Sequence, residues 1–308
     1  MCARRRLGGR PHLPRRHPDE GAAREPARGD PLGATRLSRL FAIGCALSVA
    51  ACGDARPSLI LASTTSTYDS GLLEWLMGRF EEAHPDIGVR TIVVGSGEAL
   101  ELGRRGDVDV IIAHAPEAEA RFVAGGYSTR REPLMSNDFV LVGPPDDPAR
   151  AGLTPHPARA LAVIARAGGP FVSRGDSSGT HERELALWRS SGEEPGRPWY
   201  LETGQGQGTT LQIASERRAY ALTDRATFDV LRDILELAVL VDDHPELVNQ
   251  YSVILPSNGS HVAEATRLAD WLTSEAGQTA IGSFRLPGAA TPLFRPARAS
   301  TPAESGVP

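Results

Sequence analysis

Ala62-Ser63-Thr64-Thr65-Ser66-Thr67-Tyr68-Asp69-Ser70-Gly71-Leu72-Leu73 places five consecutive hydroxyl residues, Ser63 to Thr67, between two apolar patterns. The run before it, Leu59-Ile60-Leu61-Ala62, reads as a short buried strand. After it, Leu72, Leu73, Leu76, Met77 and Phe80 recur at the spacing of one helical face. The hydroxyls are therefore expected in a strand-to-helix turn. First-turn N–H groups have no intrahelical partner there, and the helix end carries partial positive charge. Such a geometry binds anions. A single hydroxyl is enough to cap a helix, so five in a row point to a binding site.

Composition narrows what that site can be. The chain has 308 residues, 41% hydrophobic and 23% charged, a globular balance long enough for two domains. Aromatic residues make up only 6%, which argues against a stacking site for sugars or nucleobases. All 33 basic residues are Arg, which excludes a Lys nucleophile, a Schiff base and a P-loop lysine. Residues 1–51 hold ten Arg and four acids, leaving 23 basic and 34 acidic residues after them, a net of −11. A body this acidic does not attract nucleic acid through its general field. An anion would have to be held by local donors. The three cysteines are Cys2, Cys45 and Cys52, so the body beyond has no disulfide or cysteine metal site. The eight His include no H-x-x-x-H or H-E-x-x-H pair, and no metal site is expected from spacing.

The N-terminus reads as a leader. Arg36 and Arg39 precede an apolar run, Leu40 to Ala51, too short for a typical membrane span. The run ends in Val49-Ala50-Ala51-Cys52, which resembles a bacterial lipobox. We expect residues 1–51 to be a disordered N-terminus plus lipoprotein signal peptide, Cys52 to be lipidated, and 52–57 to be a tether. The mature protein would be extracytoplasmic and lipid-anchored through Cys52, without spanning the membrane.

The body alternates strand and helix. Val89–Val94 reads as a strand running into Gly95-Ser96-Gly97 and a helix to Arg105; Val108–Ala113 is a third strand, with a helix around 117–124. This order implies a parallel sheet whose ligand crevice lies beyond the strands' carboxyl ends. Phe139–Gly143 is a further strand, broken by Pro144-Pro145. A second α/β unit follows, with strands near 170–173, 219–222 and 237–241, and Tyr251–Leu255 reads as the return strand before two terminal helices. The expected layout is domain I at 58–142 and 251–286, domain II at 143–250, and a disordered tail at 287–308. Crossing strands at 139–143 and 251–255 would form the hinge of a clamp.

Arg174-Gly175-Asp176-Ser177-Ser178-Gly179-Thr180-His181 repeats the logic of the opening stretch: a strand ends, a small-residue turn exposes N–H groups and a helix begins. Arg174 adds a permanent cation with a five-donor fork. Asp176 reads as structural, bonding turn amides or neutralising an Arg. Gly206-Gln207-Gly208 offers a third set of amides. Arg225 pairs most simply with Asp224, although its place after a strand end lets it face the cleft. One rival reading comes from another class. Gly175-Asp176-Ser177-Ser178-Gly179 fits the G-x-S-x-G elbow of an α/β serine hydrolase with Ser177 as nucleophile. Asp224 or Asp242 with His244 or His261 would complete the order. No HGGG-like stretch precedes it, and the reading leaves the hydroxyl cluster without a role. A sensor or adhesion lipoprotein with a vestigial cleft is a third reading.

These residues, taken together over about 58–286, resemble the tungstate-binding proteins of ABC transporters, within the type II periplasmic binding proteins. Ser63 to Gly71 looks like the family's T-T-T-S-T-x-D-S-G, Gly95 to Leu100 like its G-T-G-x-A-L, Ser173 to His181 like S-R-G-D-D-S-G-T-H, and Leu222 to Arg225 like L-T-D-R. Gly103 to Val110 and Asn137-Asp138-Phe139-Val140 also follow the pattern. Ser63 and Ser96 replace Thr, Ser177 replaces Asp, and Gln207 stands where Met is usual. The resemblance implies an α/β, two-domain Venus-flytrap fold with mixed, mainly parallel sheets. It implies a non-enzymatic, monomeric protein without cofactors that captures tungstate or molybdate and delivers it to an ABC permease and its ATPase. The residues expected around the oxyanion are Thr64, Thr65, Ser66, Ser96, Arg174, Ser177, Ser178, Thr180 and Arg225.

Overall fold

The computed structural model describes residues 56–298. The leader, Cys52 and most of the proposed tether lie outside the described residues. The first half of the body runs β1 (Ser58–Thr64), α1 (Thr65–Asp69), α2 (Leu72–Ala83), β2 (Gly88–Val94), α3 (Ser96–Arg105), β3 (Val110–Ala113), α4 (Pro116–Ala124) and β4 (Ser128–Gly143). Then come α5 (Pro157–Ala167), β5 (Phe171–Ser173), α6 (Gly179–Ser191), β6 (Tyr200–Glu202), α7 (Gln207–Glu216), β7 (Ala221–Asp224), α8 (Arg225–Leu231) and β8 (Ala238–Val241). The chain closes with β9 (Val248–Pro256), α9 (Val262–Thr273), α10 (Glu275–Ser283) and β10 (Arg295–Pro296).

This is a mixed α/β fold. β1 pairs in parallel with β2 and β3, as the βαβαβ order requires. β9 then runs antiparallel between β3 and β4. β4 is the spine, 16 residues long. Its first part, through Asp138, pairs with β9; from Phe139 onward it pairs with β7 and β8. The expectation of a strand only at 139–143 therefore missed its upstream half, where exposed Thr129, Arg131 and Pro133 alternate with half-buried Arg130 and Glu132 and no continuous apolar run is present.

The apolar cores divide at that change of partner. Leu59, Leu61, Leu76, Phe80, Val110, Tyr251 and Leu268 belong to one cluster, with Ala62, Ala99, Ile111 and Ile254 on the opposite sheet face. Beyond Asp138, alternation along β4 sends Phe139 and Leu141 into one cluster with Phe171, Trp188 and Tyr220. It sends Val140 and Val142 into another with Leu211 and Phe228. Both faces are buried, which explains the unbroken apolar run at 139–142.

Part of the C-terminal tail is ordered, against expectation. β10 pairs with Ser136 and Met135 of β4, and Phe294 is fully buried in the first core. A compositional reading of this Pro- and Ala-rich segment saw too little apolar surface; one aromatic anchor was sufficient. Among the described residues no helix is long and apolar enough to cross a membrane.

Candidate functional site

The hydroxyl stretch is a strand end plus one helical turn rather than a loop. Ser63 and Thr64 finish β1, and Thr65 to Asp69 form α1. Gly71, at φ 81°, breaks α1 from α2 in a left-handed conformation that suits glycine. The hydroxyls divide by role. Thr67 Oγ1 donates to the Thr64 carbonyl at 2.7 Å and lies 2.8 Å from Ser63 Oγ, so these two residues hold the bend. Thr64 Oγ1 and Ser66 Oγ are 3.1 Å apart. Thr65 turns to Arg174, whose Nη1 donates to Thr65 Oγ1 at 3.3 Å.

Beneath Ser66 lies a buried polar chain. Asn249 Nδ2 donates to Asn137 Oδ1 at 2.8 Å and to Tyr251 Oη at 3.2 Å. Asn249 Oδ1 therefore accepts from His114 Nδ1, 2.9 Å away. Burial lowers the His114 pKa to about 4, so the ring is neutral at pH 7 and this bond selects its Nδ1–H tautomer. Tyr251 Oη lies 2.8 Å from Ser66 Oγ; with Asn249 donating to the phenol oxygen, Ser66 Oγ is the acceptor within reach for the phenol's own proton. Ser66 then keeps its own hydrogen for Thr64 or for a bound anion. The chain orients Ser66 as a donor. The sequence reading did not find His114, Asn137, Asn249 and Tyr251 as site residues. Asn137 stood inside a recognised motif, but its role depends on strand pairing with β9.

The second half of the site is the β5–α6 turn. Arg174 is 4% exposed. Its Nε donates to Asp176 Oδ2 at 3.0 Å, and Nη2 forms a 2.5 Å bond to the same oxygen. Asp176 Oδ1 accepts from the Ser178 N–H at 3.2 Å, so Asp176 both steadies the turn and aims the guanidinium, as expected. Gly175, at φ 61°, lets the turn pass Glu202: a Cβ here would stand 2.6 Å from Glu202 Cβ. Ser178 caps α6, its Oγ accepting from the His181 N–H at 3.3 Å.

These segments meet. A Cβ at Gly179 would stand 2.3 Å from the His114 carbonyl oxygen, so the start of α6 abuts the end of β3. A Cβ at Gly95, the N-cap of α3, would lie 3.5 Å from Ser178 Cβ, and one at Gly206, the N-cap of α7, 3.9 Å from Thr65 Cγ2. The N-terminal ends of α1, α3, α6 and α7 thus gather around Arg174 and Thr65, a concentration of amide donors and positive dipole ends. Ser96, the first residue of α3, is fully buried and its Oγ accepts from the His114 N–H at 3.1 Å. Thr180 is buried in the first turn of α6.

Two expected residues stand apart. Ser177 is exposed at φ 58°, its N–H donating to His181 Nδ1 at 3.2 Å, and its carbonyl packs towards Gly97. Arg225 is bonded to Asp242, not to Asp224. Asp224 is fully buried and caps α8, taking both the N–H and the hydroxyl of Thr227. This geometry also removes the hydrolase reading. His261 is held by Asp109 at 3.2 Å, His244 accepts from the Glu246 N–H, and Asp242 is paired with Arg225. None of them meets Ser177, so no triad is assembled.

The field around Arg174 contains acids. Burial raises the pKa of Asp224, and Asp69 is raised to about 6 by burial first and by Asp224 second, with Arg174 opposing. A cavity of about 240 Å³ opens beside His114, Phe139, Gly179 and Asn249, but Glu117 and Glu182 also line it. Its carboxylates make it a poor oxyanion site, whereas the Thr65–Arg174 region presents donors.

Residues 22–276 match the PBP superfamily domain model. The chain is 38% identical over 276 residues to the tungstate-binding protein TupA of Peptoclostridium acidaminophilum, covering 85% of this chain and 96% of that one. The chain belongs to the tungstate-binding protein family of the PBP superfamily. The tungstate ABC transporter structure from Geobacter sulfurreducens matches with a TM-score of 0.68 at 42% identity, over 74% of this chain and 98% of that one. The tungstate-binding protein from Desulfovibrio alaskensis matches with a TM-score of 0.64 at 40% identity, over 78% and 98%. The family model's match, residues 22–276, spans the hydroxyl stretch and the Arg174 turn, the two features the site is built from.

Proposed function

We propose that the protein captures tungstate, or the similarly sized molybdate, outside the cytoplasm and delivers it to an ABC permease driven by a partner ATPase. The observation that carries this reading is the Arg174–Thr65 bond, which joins two donor-rich segments 109 residues apart. Tungstate carries no proton at neutral pH, so it is best met by donors alone. Ser66 is oriented as one by Tyr251, Arg174 supplies a fork, and first-turn amides of three longer helices add neutral dipoles. Burial strengthens each of these bonds.

Two domains closing on the anion about β4 and β9 would explain why the donors come from both sides of the change in strand partner. Each domain would hold half the set, and closure would exclude water. The protein would work as a monomer without cofactor or catalysis. Anchoring through a lipid on Cys52 would keep it at the outer membrane face near its permease; this rests on the sequence of the leader. Calorimetric titration with tungstate, molybdate and sulfate tests the reading. One equivalent of tungstate or molybdate bound more tightly than sulfate is expected. Absence of heat with all three would overturn it.

A further inference from the structure

Away from the oxyanion residues, His156, His244 and Glu246 converge, each offering a ligand atom within 4.8 Å of the others. His156 is the N-cap of α5, held by Pro157 in the first helical position. His244 precedes a short 3-10 turn, Pro245–Leu247, that leads into β9 and contains Glu246. The spacing of these residues in sequence signals nothing, because the cluster is assembled by packing.

Two of the polar atoms are unsatisfied, while His244 Nδ1 accepts from the Glu246 N–H at 3.2 Å and would have to give up that bond to ligate through this atom. His156 Nδ1 and Glu246 Oε2 are both buried without a hydrogen-bond partner among the described residues. They face each other at 3.8 Å, too far for a hydrogen bond, and His244 Nδ1 stands 4.0 Å from the same carboxylate oxygen. The two imidazole rings lie 4.8 Å apart at 45°, so neither stacks flat on the other. Ligands about 2.0–2.2 Å from a tetrahedral ion stand roughly 3.3–3.5 Å apart. The 3.8 and 4.0 Å contacts would have to shorten by about half an ångström, and the widest pair of the set, which spans up to 4.8 Å, by roughly 1.4 Å, to close around one ion.

We propose that His156, His244 and Glu246 form a site for a divalent transition-metal ion of the zinc, cobalt or nickel type. Two imidazoles and one carboxylate are a borderline donor set with an open fourth position; all-oxygen seekers such as magnesium or calcium would not be retained. The ion would satisfy both orphaned atoms and tie the start of α5 to the root of β9.

Titration of the chelator-treated full chain with cobalt chloride, read by visible absorption, and with zinc chloride, read by calorimetry, tests this. One equivalent of each is expected, with the absorption of a tetrahedral cobalt centre. His156→Ala and Glu246→Gln should each weaken binding at least tenfold while tungstate titrations stay unchanged, which shows that the variants fold. No binding by the parent, or undiminished binding in both variants, would overturn the site.

Discussion

Arg174 Nη1 donates to Thr65 Oγ1 at 3.3 Å while Nε and Nη2 of the same guanidinium grip Asp176. The fork is thus fixed from behind and points its remaining donor capacity at the hydroxyl stretch. Arg174→Ala removes the cation and leaves Asp176 unpaired beside an anion site, so tungstate affinity should fall at least about 100-fold. Arg174→Lys keeps the charge without the fork and should lose about tenfold. Calorimetry on both variants decides; an alanine variant that binds like the parent would show the charge assignment to be wrong.

Tyr251→Phe tests the buried relay. It removes the proton that Tyr251 gives to Ser66 and frees Ser66 to turn its hydrogen inward. A lost buried hydrogen bond of this kind is worth about 1 kcal/mol, which predicts a roughly five- to tenfold loss of tungstate affinity. The fold should persist, since the ring is retained in the core. Unchanged affinity with intact near-UV circular dichroism would remove Tyr251 from the site.

The relay also shows how much of the site was legible in the chain itself. The paired motifs at Ser63–Gly71 and Arg174–His181 were readable because strand-to-helix transitions with hydroxyls and glycines have local signatures. His114, Asn249 and Tyr251 were not, because three segments must pair through β3, β9 and β1 before they touch. The expected Arg225–Asp224 pair does not form for a similar reason: the partner of Arg225, Asp242, lies just past β8 and nothing in the local sequence brings them together. Of the fold, most helices and most parallel strands followed from periodicity, whereas the short α1 and α8 did not. The upstream half of β4 and the β10 segment did not, since tertiary pairing there overrides a polar or Pro-rich pattern.

Asp69 carries a pH prediction. Its pKa is raised to about 6, with Asp224 and Arg174 as the charged neighbours that act on it. A dianion bound nearby favours the protonated, neutral form. Affinity should therefore be higher below pH 6 and fall as pH rises through it, levelling off above about pH 7. Asp69 is partly desolvated yet keeps an exposed edge, so screening limits the change to severalfold. Asp69→Asn should flatten the profile and bind at pH 7.5 at least as well as the parent. A variant profile as steep as the parent's would assign the dependence elsewhere.

Phe294 should contribute to both stability and site geometry. It is fully buried, and its ring meets Tyr251 edge-on with centroids 5.9 Å apart. Phe294→Ala is expected to cost about 3–5 kcal/mol in denaturant unfolding. It should also weaken tungstate binding modestly by loosening Tyr251. A loss below about 1 kcal/mol would mean that the tail does not pack as described.

The most direct test of the oxyanion clamp is a crystal of the protein grown with tungstate and measured at the tungsten absorption edge. The anomalous difference map should show one strong peak within hydrogen-bonding reach of Thr65, Ser66 and Arg174. A peak elsewhere, or a tungstate ion bound only at the molecular surface, would contradict the account.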